Sequence, residues 1–104
     1  MEAAGENTVR MTGVIVAREA LRWTPARVPV LEIRIEHQSR QMEAGAEREV
    51  SCEVAVRAIG PAAQQIEVVA LGSRLVVEGF LAAKSARNRT PVLHIRTFEL
   101  LEGN

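Results

Sequence analysis

Three long cations stand close together in the segment AAKSARNR, residues 82–89, with no acidic residue between them. They are Lys84, Arg87 and Arg89. The segment is either an ordinary solvated hairpin or a binding site for a polyanion. Residues 70–98 around them carry five basic groups and one acid, a charge of +4, whereas residues 41–53 carry one basic group and four acids, a charge of −3. One region is therefore expected to attract a polyanion although the 13 basic and 13 acidic residues of the whole chain balance.

The other reactive residue types form no catalytic or metal-binding pattern. The chain has no Asp, and most of its Glu residues alternate with apolar residues, which places them on solvent-facing sides. His37 and His94 lie in apolar rows and are expected to be hydrogen-bonded structural histidines. Cys52 alternates with valines, which predicts a small buried side chain, and it has no second Cys for a disulfide or a metal site. No glycine-rich phosphate loop occurs, so we expect no enzyme activity, cofactor or metal.

The composition is typical of one small globular domain. The chain has 104 residues, of which 47% are hydrophobic. We predict a domain at 8–101 between a disordered tail at 1–7 and a short tail at 102–104. Because the N-terminus lacks the apolar core of a signal peptide and no apolar run approaches the ~20 residues that cross a bilayer, we expect a cytoplasmic protein. A domain of this size buries a modest share of its surface, which favours a homodimer.

Alternation with a period of two predicts five strands, at 8–19, 30–38, 50–57, 74–82 and 91–100. The polar stretch 39–49, with Gly45 near its middle, is expected to be a long hairpin connection. Residues 60–72 begin with Gly-Pro, continue with Ala and Gln and end at Gly72, which predicts one short helix. Gly13 and Gly79 lie inside predicted strands and indicate bulges or sharp bends.

The order β-β-β-α-β-β predicts an all-β fold, a five-stranded OB-fold Greek-key barrel with one short helix between strands 3 and 4. A small sandwich or another small barrel is the alternative. In an OB fold the basic segment becomes the loop between the last two strands, and Arg22 and Arg27 lie in the loop opposite. Two basic loops beside one sheet face form a channel for a phosphate backbone. Trp23, in the same opposite loop, is a packing residue or a platform on which bases stack.

The most specific segments of the chain are TPARVPVLEIRIEH, QMEAG, GSRLVVEGFLA and LHIRTFELL. On these segments, and from Val9 to Leu101 as a whole, the chain resembles the bacterial primosomal replication protein N (PriB) family. This resemblance implies an OB fold similar to single-stranded DNA-binding proteins, a homodimer, and binding of single-stranded DNA in the cytoplasm. It also implies action with the helicase and other components of the replication restart primosome, which reload the replicative helicase. The residues that match the family's basic surface are Arg22, Arg34, Lys84, Arg87 and Arg89.

One departure from the family changes the expected strength of binding. Better-known members place aromatic residues where this chain has Ala46 and Ser51. Since each base stacked on an aromatic side chain contributes ~1–3 kcal/mol, we expect weak, salt-sensitive and sequence-tolerant binding. The competing hypotheses are a protein–protein adaptor of the primosome with vestigial DNA binding, and an OB domain for RNA or oligosaccharide. In the dimer that the resemblance implies, the first strand, including Val14 and Val16, is the expected contact.

Overall fold

The structure is a computed structural model that describes residues 5–101. The elements within that range are β1 (Val9–Arg18), β2 (Arg22–Trp23), β3 (Pro29–Glu43), β4 (Ala46–Ile59), α1 (Pro61–Glu67), β5 (Arg74–Ala83) and β6 (Pro91–Leu100). Residues 1–4 and 102–104, which contain most of the first predicted tail and all of the second, lie outside the described residues. Asn7, from the first predicted tail, contacts the domain, because its side-chain amide donates to the Leu81 carbonyl oxygen at 2.7 Å and its Oδ1 accepts from the Leu81 N–H at 2.9 Å. The domain boundaries stay predictions.

The strands close into the predicted OB barrel. Their order is β1-β5-β6-β4-β3, and a pairing of β1 with β3 joins the two ends of the sheet. All pairings are antiparallel except the short parallel pairing of β4 with β6. The strand β2 is an addition of two residues at the edge of β3. The helix therefore follows β4 in this numbering, but it lies between the third and fourth barrel strands as predicted.

The alternation in β3 produces the barrel interior. Leu31, Ile33 and Ile35 are 0%, 2% and 0% exposed, and the charged residues between them face outward. Complete burial of such a side chain contributes ~1.5–3 kcal/mol, so this row commits β3 to one orientation. The outer face that results carries the candidate functional residues.

The helix α1 closes one end of the barrel and is shorter than predicted. Pro61 opens it, Ala63 and Ile66 are fully buried against the core, and it ends at Glu67. Gly72, with φ of 90°, lies in the turn before β5 and does not terminate the helix. No helix within residues 5–101 has the length and apolar character needed to span a membrane.

The predicted long connection at 39–49 is wrong, because β3 and β4 continue to a two-residue turn. Ala44 and Gly45 have φ of 54° and 80°, the left-handed values of a type I′ hairpin turn. Both faces of this part of the hairpin are exposed, so no apolar alternation marks it in the sequence. Cross-strand ion pairs lie along it instead: Arg40 with Glu47 at 3.2 Å and with Glu49 at 3.0 Å, and Arg48 with Glu43 at 2.7 Å.

Cys52 is exposed, which makes the prediction of a buried side chain wrong. It pairs in register with His37, where the hairpin leaves the barrel core. His37 agrees with its prediction, because its Nδ1 lies 2.8 Å from the Thr12 carbonyl oxygen and its Nε2 lies 2.8 Å from Ser39 Oγ. The alternation in the sequence therefore predicts the sheet face on which Cys52 lies, but not how deeply its side chain is buried.

The two strand glycines allow close packing, and one of them lies at a bulge. The register of β5 with β6 shifts between Glu78 and Gly79, as the prediction required. A Cβ on Gly79 would overlap the backbone carbonyl of His94 on β6. A Cβ on Gly13 would lie 2.9 Å from side-chain atoms of Ile35, and the bulge of β1 falls later, between Ile15 and Ala17. Gly13 therefore marks a close approach of β1 to β3, not a bulge.

Candidate nucleic-acid interface

An open groove with a volume of about 560 Å³ runs along the outer face of β3 and β4. The end of β1, the strand β2 and the hairpin between β5 and β6 form its walls. Two acids, Glu19 and Glu32, lie in it. Five cations line it: Arg18, Arg22, Arg34, Arg57 and Lys84. The groove therefore combines an excess of positive charge with the sheet face and loop through which OB folds contact oligonucleotides.

Three of the five residues that match the family's basic surface lie together in this groove. Arg22 comes from β2, Arg34 from the outward row of β3, and Lys84 from the start of the β5–β6 loop. Arg87 and Arg89 are exposed on the same loop and do not line the groove. They lie further along the loop, where they extend its positive charge beyond the groove.

The β5–β6 loop is a hydrogen-bonded hairpin. The Lys84 N–H donates to the Thr90 carbonyl oxygen at 2.9 Å, and the Ser85 N–H donates to the Asn88 carbonyl oxygen at 3.0 Å. Arg57 on β4 also donates to the Lys84 carbonyl oxygen at 3.3 Å. These bonds hold the backbone of the loop next to the outer face of the barrel. The binding of a ligand by its cations therefore does not require the loop to become ordered first.

Three of the four groove cations on the strands are already paired with carboxylates. Arg22 and Arg57 both donate to Oε2 of Glu32, at 3.0 Å and 2.8 Å. Arg34 donates to Glu53 at 2.7 Å. In contrast, within residues 5–101 no carboxylate forms an ion pair with Lys84, Arg87 or Arg89. The available positive charge of the interface is therefore concentrated in the hairpin.

Two groove residues, Arg57 and Arg18, were missed in the sequence. Arg57 pairs in register with Glu32, and strand register cannot be read from one sequence in which the intervening loop is misassigned. Arg18 donates to the Ile66 carbonyl oxygen at 3.4 Å and to the Val69 carbonyl oxygen. It thus stabilises the C-terminal end of α1 and is less free to meet a ligand.

A ring stack lies beside Arg57 on the same outer face. His94 pairs in register with Arg57 on one side and with Phe80 on the other, and its ring is stacked on Phe80 with centroids 5.2 Å apart. Arg96 lies over the Phe80 ring at 5.2 Å. His94 Nε2 is buried without a hydrogen-bond partner among the described residues, which differs from the expected hydrogen-bonded histidine. Burial and the charge of Arg57 lower the pKa of His94, and Glu32 partly opposes them.

Because the pKa of His94 is lowered, the free energy of unfolding should depend on pH. An unfolded histidine titrates near pH ~6.5, so the contribution of His94 is fully present above that pH and is lost as the pH falls toward the folded pKa. We expect urea unfolding at pH 5.5 to give a lower free energy of unfolding than at pH 7.5. A His94→Phe variant, which retains a ring for the stack, should show a smaller pH difference. Equal pH differences in the two proteins would contradict the assignment to His94.

The positions considered for base stacking do not supply an aromatic to the groove. Trp23 is 55% exposed on β2 but does not line it. Ala46 follows the hairpin turn, and Ser51 lies opposite Gln38 on the outer face of β4. A second depression of about 360 Å³ at Ser51 is lined by polar residues and Val50. A strand crossing this face would therefore meet charges and small side chains.

Comparison with known proteins agrees with the fold. Residues 7–97 match a family model described as "Another single-strand binding protein family". The replication restart protein PriB of Neisseria gonorrhoeae is 36% identical over 97 residues, which cover 93% of this chain and 96% of that protein. The PriB structure from Ralstonia solanacearum has a TM-score of 0.84 and 31% identity, with 93% of this chain and 100% of that chain covered. A single-stranded DNA-binding protein from Thermus aquaticus has a TM-score of 0.76 and 29% identity, with 97% of this chain and 52% of that chain covered.

The barrel and the family match together define an OB-fold protein of the single-strand binding class. Within that class, the 36% sequence identity with the PriB protein of Neisseria gonorrhoeae covers most of both chains and points to one family. The chain belongs to the PriB family of replication restart proteins.

Proposed function

We propose that this protein binds single-stranded DNA as an accessory factor of the replication restart primosome. The observation that carries the proposal is the hairpin with Lys84, Arg87 and Arg89, which form no ion pair with other described residues, held by Arg57 at the end of the OB groove. The names of relatives support the setting, since they are replication restart proteins, and a structural neighbour is a single-stranded DNA-binding protein.

The hairpin acts on the phosphate backbone and not on base identity. Each cation that neutralises a phosphate releases condensed counterions, so affinity falls with salt by ~0.7 in log units per contact for a single strand. Three cations correspond to a slope of about −2. Without aromatic residues at Ala46 and Ser51, the stacking contribution is small. Binding is therefore weak, steeply salt-dependent and tolerant of sequence.

We also propose three partners beyond DNA. The protein forms a homodimer, stabilises the restart helicase on DNA, and helps other primosome components reload the replicative helicase. For the dimer, the 43% exposure of Val16 supports a contact through β1. Within the barrel, residues Val9–Val14 of this strand pair with β5 and residues Val14–Arg18 pair with β3. Light scattering at micromolar concentration should give twice the mass of the chain, and a monomer would exclude this contact.

A fluorescence anisotropy titration of labelled oligo-dT tests the DNA proposal. We expect saturable binding at about 20 mM salt that weakens at about 200 mM with a log–log slope near −2. Tight binding with little salt dependence would contradict an electrostatic hairpin site. No binding at either salt would reject single-stranded DNA as the ligand.

The alternative function is a protein–protein adaptor with vestigial DNA binding. Two observations favour it: the groove cations Arg22, Arg34 and Arg57 are paired internally, and Ala46 and Ser51 offer no stacking surface. Capture of the purified restart helicase by this protein without DNA, together with no oligo-dT binding, is the result that this function requires.

Replacement of Ser51 by tryptophan is expected to strengthen DNA binding. Ser51 is exposed on the outer face of β4, and a tryptophan there offers one platform to a base of a strand that leaves the groove. One stacked base adds ~1–3 kcal/mol, which is about 5- to 150-fold in Kd. The measurement is the same anisotropy titration, with Thr97→Trp on β6 as the control because Thr97 is exposed but lines neither the groove nor the depression at Ser51. An equal gain in both variants would mean that the tryptophan binds DNA wherever it stands.

A further inference from the structure

We infer that Glu32 is an internal substitute for a DNA phosphate, which occupies the groove cations and holds down the affinity for nucleic acid. The inference rests on the proposed DNA binding and adds a residue that regulates it. A single oxygen, Glu32 Oε2, accepts a hydrogen bond from Arg22 at 3.0 Å and another from Arg57 at 2.8 Å. A phosphodiester carries the same single negative charge and similar acceptor oxygens, so the two anions compete for the same donors.

The burial of the Arg57–Glu32 pair strengthens the competition of Glu32 with a phosphate. The side chains of Arg57 and Glu32 are only 16% and 22% exposed, whereas the Arg34–Glu53 pair on the same face is 49% and 47% exposed. Solvent and salt screen the more buried pair less, so it keeps more of its attraction at physiological ionic strength. Arg57 also donates to the Lys84 carbonyl oxygen, which places this paired cation directly below the hairpin.

A tethered carboxylate has a further advantage over DNA in solution. Groups linked within one chain meet at an effective concentration of about millimolar or higher, far above the concentration of an oligonucleotide in a binding experiment. A phosphate therefore displaces Glu32 only after the strand is already held by Lys84, Arg87 and Arg89. Hairpin contact comes first, and contact with Arg22 and Arg57 comes second and only in part. In the native protein the salt slope accordingly reports the hairpin cations.

Removal of the charge on Glu32 without loss of its shape tests the inference. In Glu32→Gln the side chain keeps an oxygen acceptor but no longer neutralises the two arginines. We expect oligo-dT to bind roughly three- to tenfold more tightly at about 50 mM salt. We also expect the log–log salt slope to steepen by ~0.7 to 1.4, the value for one or two additional phosphates.

Glu78→Gln is the matched control. It also removes one negative charge and frees an arginine, Arg10, which pairs with Glu78 at 3.6 Å, but neither residue lines the groove. A gain in Glu32→Gln that Glu78→Gln does not share supports the inference. Equal gains in the two variants would assign the effect to net charge and overturn it. The gain should also shrink in the double variant Arg22→Gln/Glu32→Gln, because one of the two released donors is gone.

A second pair keeps the test decisive if Glu32→Gln does not fold. Glu53→Gln frees Arg34 at the surface, where about half of each side chain is exposed, so it should fold and show a smaller gain of the same sign. If the native protein binds oligo-dT and the folded variants bind it with unchanged or weaker affinity, the carboxylates do not restrain DNA binding. The proposed function then stands without this inference. If neither the native protein nor the variants bind oligo-dT at low salt, the proposed function fails and the inference fails with it.

Discussion

Replacement of Lys84, Arg87 and Arg89 by alanine is expected to reduce the affinity for oligo-dT by about ten- to 150-fold at about 50 mM salt. At that salt concentration each lost phosphate contact forgoes about 1 kcal/mol of counterion-release free energy, and the three contacts together set the upper figure. The log–log salt slope should become shallower by about 2, which leaves little salt dependence in the variant. Anisotropy titrations at four or more salt concentrations give both quantities from one data set.

The control for this experiment removes the same charge elsewhere. Arg10, Arg74 and Arg96 are exposed and do not line the groove, so their joint replacement by alanine changes the net charge by the same amount. That variant should keep most of the affinity and of the salt slope. If the two triple variants lose the same affinity, long-range attraction by net charge explains binding, and the hairpin is not a site. Unchanged affinity in the variant that lacks Lys84, Arg87 and Arg89 would mean that these three residues do not bind DNA.

The barrel was predictable because one face of each strand is buried. In β3 the row Leu31, Ile33 and Ile35 sets the side of every neighbouring residue, and the same logic located β5 and β6 to within a residue or two. The extension of β3 and β4 to the turn at Ala44 was not predictable in this way. Both of its faces are exposed, so strand pairing there leaves no hydrophobic pattern, and the depth of Cys52 was misjudged for the same reason.

The candidate site was predictable only in part. A cluster of cations in one loop is visible in the sequence, because Lys84, Arg87 and Arg89 are neighbours along the chain. The pairing of Arg57 with Glu32 depends on the register between two strands, and that register follows from the length of the hairpin, which was misassigned. Acidic residues that looked like ordinary solvent-facing charges in the sequence therefore become part of the electrostatics of the groove.

Replacement of Gly79 by alanine is expected to destabilise the protein by about 3 kcal/mol, a large share of the ~5–15 kcal/mol typical of a domain. An added Cβ would overlap the His94 backbone carbonyl, which belongs to the β5–β6 ladder. Backbone in a closed barrel cannot move aside as a flexible side chain can, so relief of the overlap requires opening the ladder. The same ladder leads into the hairpin, and DNA binding should weaken in the fraction that stays folded.

Two other glycines turn this expectation into an ordered series. At Gly13 the added Cβ would meet side-chain atoms of Ile35 at 2.9 Å, which can shift, and at Gly5 it would meet no atom within 4 Å. Urea unfolding should therefore rank the variants Gly5→Ala, Gly13→Ala and Gly79→Ala from no loss of unfolding free energy, through an intermediate loss, to the largest. A Gly79→Ala protein as stable as Gly5→Ala would mean that β5 and β6 do not approach as closely at the bulge, and the placement of the hairpin beside the groove would lose its structural basis.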